Sequence, residues 1–140
     1  TLNTAFITAS CAYRRSLLCR IKGFNNFFAN NAEDIDICWR ALEQGAKLKY
    51  VPSTKITAHS PRTLKGICKK SFRNGISSSK LQKVYSNNRV SIDKTLYKAL
   101  VSNIKGIFKG ETYSWLFVVE IICHLAGKYY GSVKCGVINI

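Results

Sequence analysis

Three carboxylates, Glu33, Asp34 and Asp36, crowd the start of the stretch NNAEDIDICWRALEQG, residues 30–45. With Glu43, that stretch holds four of the seven acidic residues in a 140-residue chain of formal net charge +15. A carboxylate can accept a proton from an attacking hydroxyl, orient a polar substrate or hold a cation. The plain alternative is helix capping, since acids at a helix N-terminus gain about 0.3–1 kcal/mol each from the dipole. One cap residue closes a helix, and three acids exceed that need. Two basic features accompany the cluster. Arg14-Arg15 can grip a phosphate or carboxylate bidentately, or simply pair with the acids ahead. His59, just before Ser60-Pro61-Arg62, stands at the exit of an extended stretch beside a basic loop, where an imidazole is well placed to act as a ligand.

The surrounding pattern says what must position these groups. Ile35, Cys38, Trp39 and Leu42 recur at helical spacing, and Gly45 stands where a left-handed residue commonly ends a helix. Asp36 and Arg40, four apart, can pair on one face. Upstream, Thr4–Tyr13 reads as a strand entering a turn, Ser16–Ile21 as a short helix ended by Lys22-Gly23, and GFNNFFANN as a loop with three phenylalanines. Downstream, Ala46–Pro52 alternates like a half-buried strand, and Thr54–His59 reads as a second one.

From Thr63 to about Lys83 the pattern is helical and basic, with Leu64, Ile67, Cys68 and Phe72 as its apolar stripe and Gly75 and Ser77-Ser78-Ser79 as interruptions. Tyr85–Asp93 is a polar connector. Leu96–Phe108 is an amphipathic basic helix, and Tyr113–Tyr130 is apolar nearly all round apart from Glu120 and His124. A membrane span needs about 20 apolar residues. This run is shorter and carries ionisable groups, which predicts a buried or interfacial helix. Its Gly127–Gly131 spacing is a weak helix-packing signal.

Hydrophobic residues form 46% of the chain and charged ones 21%, which excludes a disordered polymer and suits one domain with its own core. The charge is lopsided. Residues 1–60 carry eight Lys/Arg against four acids, and residues 61–140 carry fourteen against three. The second half therefore suits anionic partners. Six cysteines, with no pair separated by two residues, exclude a zinc knuckle or a thioredoxin-like motif and fit a reducing compartment. A chain that opens on Thr1 and lacks methionine is expected to be a piece of a longer protein.

Taken in order, Arg14-Arg15, Gly23-Phe24, Glu33-Asp34-Ile-Asp36-Ile-Cys-Trp39-Arg40, Gly45, Tyr50-Val51-Pro52 and His59 resemble the acceptor-side half of family-two glycosyltransferases. The likeness covers roughly residues 5–75. It implies an α/β chain: a partial GT-A-like fold of short strands and an acidic-motif helix, followed by a mainly helical C-terminal region. The implied organisation is a catalytic-base half over residues 1–84, a connector over 85–95 and a helical, membrane-associated tail over 96–140. The implied activity is inverting transfer of a sugar from a nucleotide-diphosphate sugar to an acceptor hydroxyl, with Asp34 as general base and Glu33 beside it.

By the same resemblance, Arg62 and Lys65 would meet the donor diphosphate, and Arg14, Arg15, Asp36 and Trp39 would form the acceptor side. His59 would help bind Mg²⁺ or Mn²⁺, whose main Asp-x-Asp ligands are not in this sequence. Partners would be the donor and a glycan or lipid-linked acceptor; separately, the basic second half and its apolar helix suit peripheral contact with anionic lipid at the cytoplasmic face of a membrane. The sequence departs from the family where Gly-Gly-Phe-Asp-Glu is usual and Lys22-Gly23-Phe24-Asn25-Asn26 stands, and where Ala32 replaces a Gly before Glu-Asp. No Gln/Arg-x-x-Arg-Trp motif follows His59, which argues against a processive synthase. Two other classes compete. A basic nucleic-acid-binding module using Lys65–Lys83 explains the charge but not the acids. A non-catalytic membrane-surface module would use the second half and its apolar helix.

Overall fold

The structure is a computed structural model that describes residues 10–29, 32–57, 59, 61–85 and 93–136. The chain divides into two compact units, Thr1–Ser60 and Pro61–Ile140. In the first, α1 (Arg15–Arg20) is followed by a 3-10 turn (Asn26–Phe28) and α2 (Glu33–Glu43). The amphipathic pattern of α2 turns Ile37, Cys38 and Ala41 inward, and Ile37 and Ala41 meet Ile21 from the end of α1. Tyr13, Leu17, Leu18 and Ala46 close around that small core. Burying a side chain the size of Ile37 contributes about 1.5–3 kcal/mol. Asn25 caps the 3-10 turn by accepting the Phe27 N–H at 3.0 Å, which seats Phe28 in the interior. Gly45 follows α2 at φ +77°, the left-handed conformation expected there.

The expected α/β class is overturned: among the described residues every regular element is a helix and there is no strand. Residues 46–52 and the described part of 54–59 are irregular, and Leu48, Tyr50, Val51 and Ile56 are exposed. Alternation makes a segment competent for a sheet, but a strand exists only when a neighbour supplies the hydrogen-bond ladder. No described segment does so for these residues. Within the expected first strand, residues 4–9 lie outside the described residues, and Cys11–Tyr13 are irregular.

The second unit is a bundle of α3 (Leu64–Tyr85), α4 (Asp93–Phe108) and α5 (Ser114–Cys135), with α5 packed against both others. Residues 86–92 of the expected connector lie outside the described residues. Gly75 and Ser77–Ser79 do not interrupt α3; they let it meet α5. A Cβ at Gly75 would stand 2.6 Å from the Lys128 nitrogen, and one at Gly127 would stand 2.7 Å from the Phe72 carbonyl carbon. The serines hide their polarity in hydrogen bonds. Ser77 and Ser78 donate to the carbonyls of Arg73 (3.0 Å) and Asn74 (3.1 Å), and Ser79 donates across the seam to the Lys128 carbonyl at 2.7 Å. Ser71 donates to Glu120 Oε1 at 3.1 Å, and Lys83 Nζ donates to the Cys135 carbonyl at 2.7 Å. Partner numbers rise together along both helices, so α3 and α5 run parallel. Among the described residues, no helix is long and apolar enough to cross a membrane.

Candidate active site

The carboxylates of α2 take three different positions. Asp36 is 1% exposed, and its Oδ2 accepts from Arg40 Nε (2.8 Å) and Nη2 (2.6 Å). The same guanidinium donates to the carbonyls of Ile21 (2.5 Å) and Gly23 (2.8 Å). Arg40 therefore bolts α2 to the turn after α1, where Lys22 (φ 59°) and Gly23 (φ 65°) are both left-handed and present their carbonyls. Asp36 was expected on the acceptor side; its side chain is consumed in this fastening. Trp39, expected on the same side, is buried beside it.

Asp34 is half-buried and outside that network. Its Oδ1 accepts the Ile35 N–H at 2.8 Å, which fixes the carboxylate at the N-terminal end of α2. Because Arg40 is committed to Asp36, it does not neutralise Asp34. Tyr13 shares Asp34's surroundings. Burial above all pushes the Tyr13 phenol up to about 12, and Cys11, Cys38 and then the Asp34 carboxylate add to the effect. Tyr13 escaped the sequence reading because nothing local links it to Asp34; only the packing of residues 11–13 over α2 does.

Glu33 brings a different feature. Its Oε2 is buried and has no hydrogen-bond partner among the described residues. Such an oxygen is uncommon in a folded protein. Ala32, immediately before it, caps α2 at φ 68°, ψ 8°. That conformation costs a residue with a Cβ about 1–2 kcal/mol and is routine only for glycine. It gives a backbone reason for the glycine that the resemblance places there.

Arg14 and Arg15 are exposed at the start of α1, and His59 is exposed in an irregular segment. Arg62 and Lys65 are exposed in the second unit, just before and within the first turn of α3. The described residues bring together no group of three His, Cys, Asp or Glu that could hold a metal ion. His59 by itself supplies at most one ligand, so the residues described do not make a metal site.

α2 thus carries a buried fastening carboxylate beside a half-buried one, on a helix entered through a left-handed cap. The family model described as "Glycosyl transferase family group 2" matches residues 3–132, and the chain belongs to that family. The match runs through α3 and α4 and most of α5, so the basic unit is part of the family's domain. A 56-residue segment is 38% identical to the pre-mycofactocin glycosyltransferase of Mycobacterium tuberculosis, strains CDC 1551 / Oshkosh and H37Rv. That segment is 40% of this chain and 12% of each relative. No solved structure matches the chain significantly. The resemblance read from Arg14-Arg15 through His59 is thereby shown at the level of the family. The chain thus spans about an eighth of the length of the curated glycosyltransferases it matches.

Proposed function

We propose that the chain supplies the general base of an inverting glycosyltransferase, with Asp34 accepting the proton of an acceptor hydroxyl as that oxygen attacks the anomeric carbon of a nucleotide-diphosphate sugar. A sugar hydroxyl is a weak nucleophile, and a positioned carboxylate contributes roughly 10²–10⁴-fold to such an attack. The observation that carries the reading is the division of labour on α2: Arg40 is spent on Asp36, leaving Asp34 partly open at the helix end. Glu33, whose buried oxygen has no hydrogen-bond partner among the described residues, orients the acceptor. Arg14 and Arg15 offer the acceptor exposed cations. Asp36 and Trp39 position α2 and do not touch substrate.

Arg62 and Lys65, both exposed, keep the role that the resemblance gives them, contact with the donor's diphosphate. His59 remains a single exposed imidazole. The test is Asp34→Asn in the full-length protein: transfer should collapse while donor affinity stays within a few-fold of wild type. Near-normal turnover would remove Asp34 as the base.

A further inference from the structure

The α3–α5 seam of the second unit is lined largely by small and polar groups, while large apolar residues of α5 stand exposed. Gly75, Gly127, Gly131, Ser71, Ser78 and Ser79 fill the α3–α5 seam. On the opposite side of α5, Trp115, Ile122, Tyr129 and Val133 are spaced seven, seven and four residues apart, so they fall on one stripe. They are 50, 55, 76 and 67% exposed. No charged residue lies on that stripe. Of the two acids near α5, Glu120 is turned into the seam toward Ser71, and Glu111 accepts from Ser114 at the start of the helix.

α3 carries a matching row. Lys65, Lys69, Arg73, Lys80 and Lys83 recur at helical spacing on one flank. Phe72 and Tyr130, whose rings lie 5.8 Å apart, bridge the two helices; Phe72 stands three residues from Lys69 on α3 and Tyr130 three from Val133 on α5, so by helical spacing the basic flank and the apolar stripe border this bridge. One side of the parallel pair therefore presents an apolar, aromatic-ended strip with a cationic edge.

We propose that this side docks on an anionic lipid bilayer, with α5 lying in the interface and the α3 row on the headgroups. Small-residue packing holds two helices together where lipid removes the hydrophobic drive between them. Trp and Tyr suit the headgroup level, and basic residues beside an apolar strip suit anionic lipid. The absence of any described helix able to span the bilayer fits a helix that lies on it. A nucleic-acid partner would use the cations but leave Trp115, Ile122 and Val133 in water, and a second copy would bring the basic rows toward each other.

The proposal is tested by co-sedimenting the full-length protein with vesicles of phosphatidylcholine plus phosphatidylglycerol, and with phosphatidylcholine alone. Binding is expected to the mixed vesicles and to fall steeply with salt. Ile122→Glu with Tyr129→Glu should weaken it at least about tenfold, since each apolar group withdrawn from the interface counts against binding. Lys69→Gln with Arg73→Gln should weaken it roughly fivefold per charge on the mixed vesicles. Should the glutamate variant misfold by circular dichroism, lipids brominated in their acyl chains report directly, by quenching Trp115 in the unaltered protein. Equal binding to both vesicles, no binding, no quenching, or a lipid-free dimer that the glutamate variant dissociates would each overturn the proposal.

Discussion

Arg40→Met isolates the fastening of α2 from the chemistry at its tip. The substitution keeps an unbranched apolar stem and removes four hydrogen bonds at once: two to Asp36 Oδ2 and one each to the carbonyls of Ile21 and Gly23. What is left behind decides the cost. Asp36 is 1% exposed, so losing Arg40 takes the ion-pair partner from a carboxyl group held in the interior. Breaking a buried pair from one side costs about 3–5 kcal/mol, a large part of the roughly 5–15 kcal/mol that keeps a domain folded. Replacing both partners by apolar groups leaves no orphaned charge, so Asp36→Leu with Arg40→Met should cost clearly less than Arg40→Met alone. Urea unfolding of the full-length protein and its three variants, followed through Trp39 fluorescence, completes the cycle. A loss under about 1 kcal/mol for Arg40→Met, or a double variant as damaged as the single one, would refute the account of Asp36 as a fastening group.

Two further outcomes follow from the same region. Ala32→Gly relieves a left-handed φ of 68° and should stabilise the protein by about 0.5–1 kcal/mol in urea unfolding; a destabilisation would mean that the Ala32 methyl packs for more than its backbone strain. For Tyr13, the phenol is raised from 10.0 to about 12 in the folded state, so between those values the unfolded chain releases its proton first. That contribution is fully present below pH 10.0 and is lost as pH rises toward 12. Tyr13→Phe should flatten the decline in stability over that window, and an unchanged slope would contradict the placement of Tyr13.

How much of this was legible in the sequence depends on the range of the interaction that fixes each part. α2 was readable because its period, its acids and Gly45 are local signals that agree. The pairing of Asp36 with Arg40 was readable for the same reason, four residues apart on one helix. Its depth was not, because burial depends on the carbonyls of Ile21 and Gly23, which only the fold brings beneath the guanidinium. The strands over 46–52 and 54–59 failed because alternation does not say whether a ladder partner is present. Gly75 and Ser77–Ser79 were read as breaks because small residues carry the same local signature whether they end a helix or admit another one. Tyr13 was invisible for want of any pattern connecting it to Asp34.

The central claim is that the Asp34 carboxylate takes the proton in the chemical step. Rapid-quench single turnover, with donor and acceptor both saturating, measures that step apart from binding and product release. For Asp34→Asn, with unfolding by urea unchanged, the account predicts a rate lower by roughly 10²–10⁴-fold. A rate within a few-fold of wild type would contradict it.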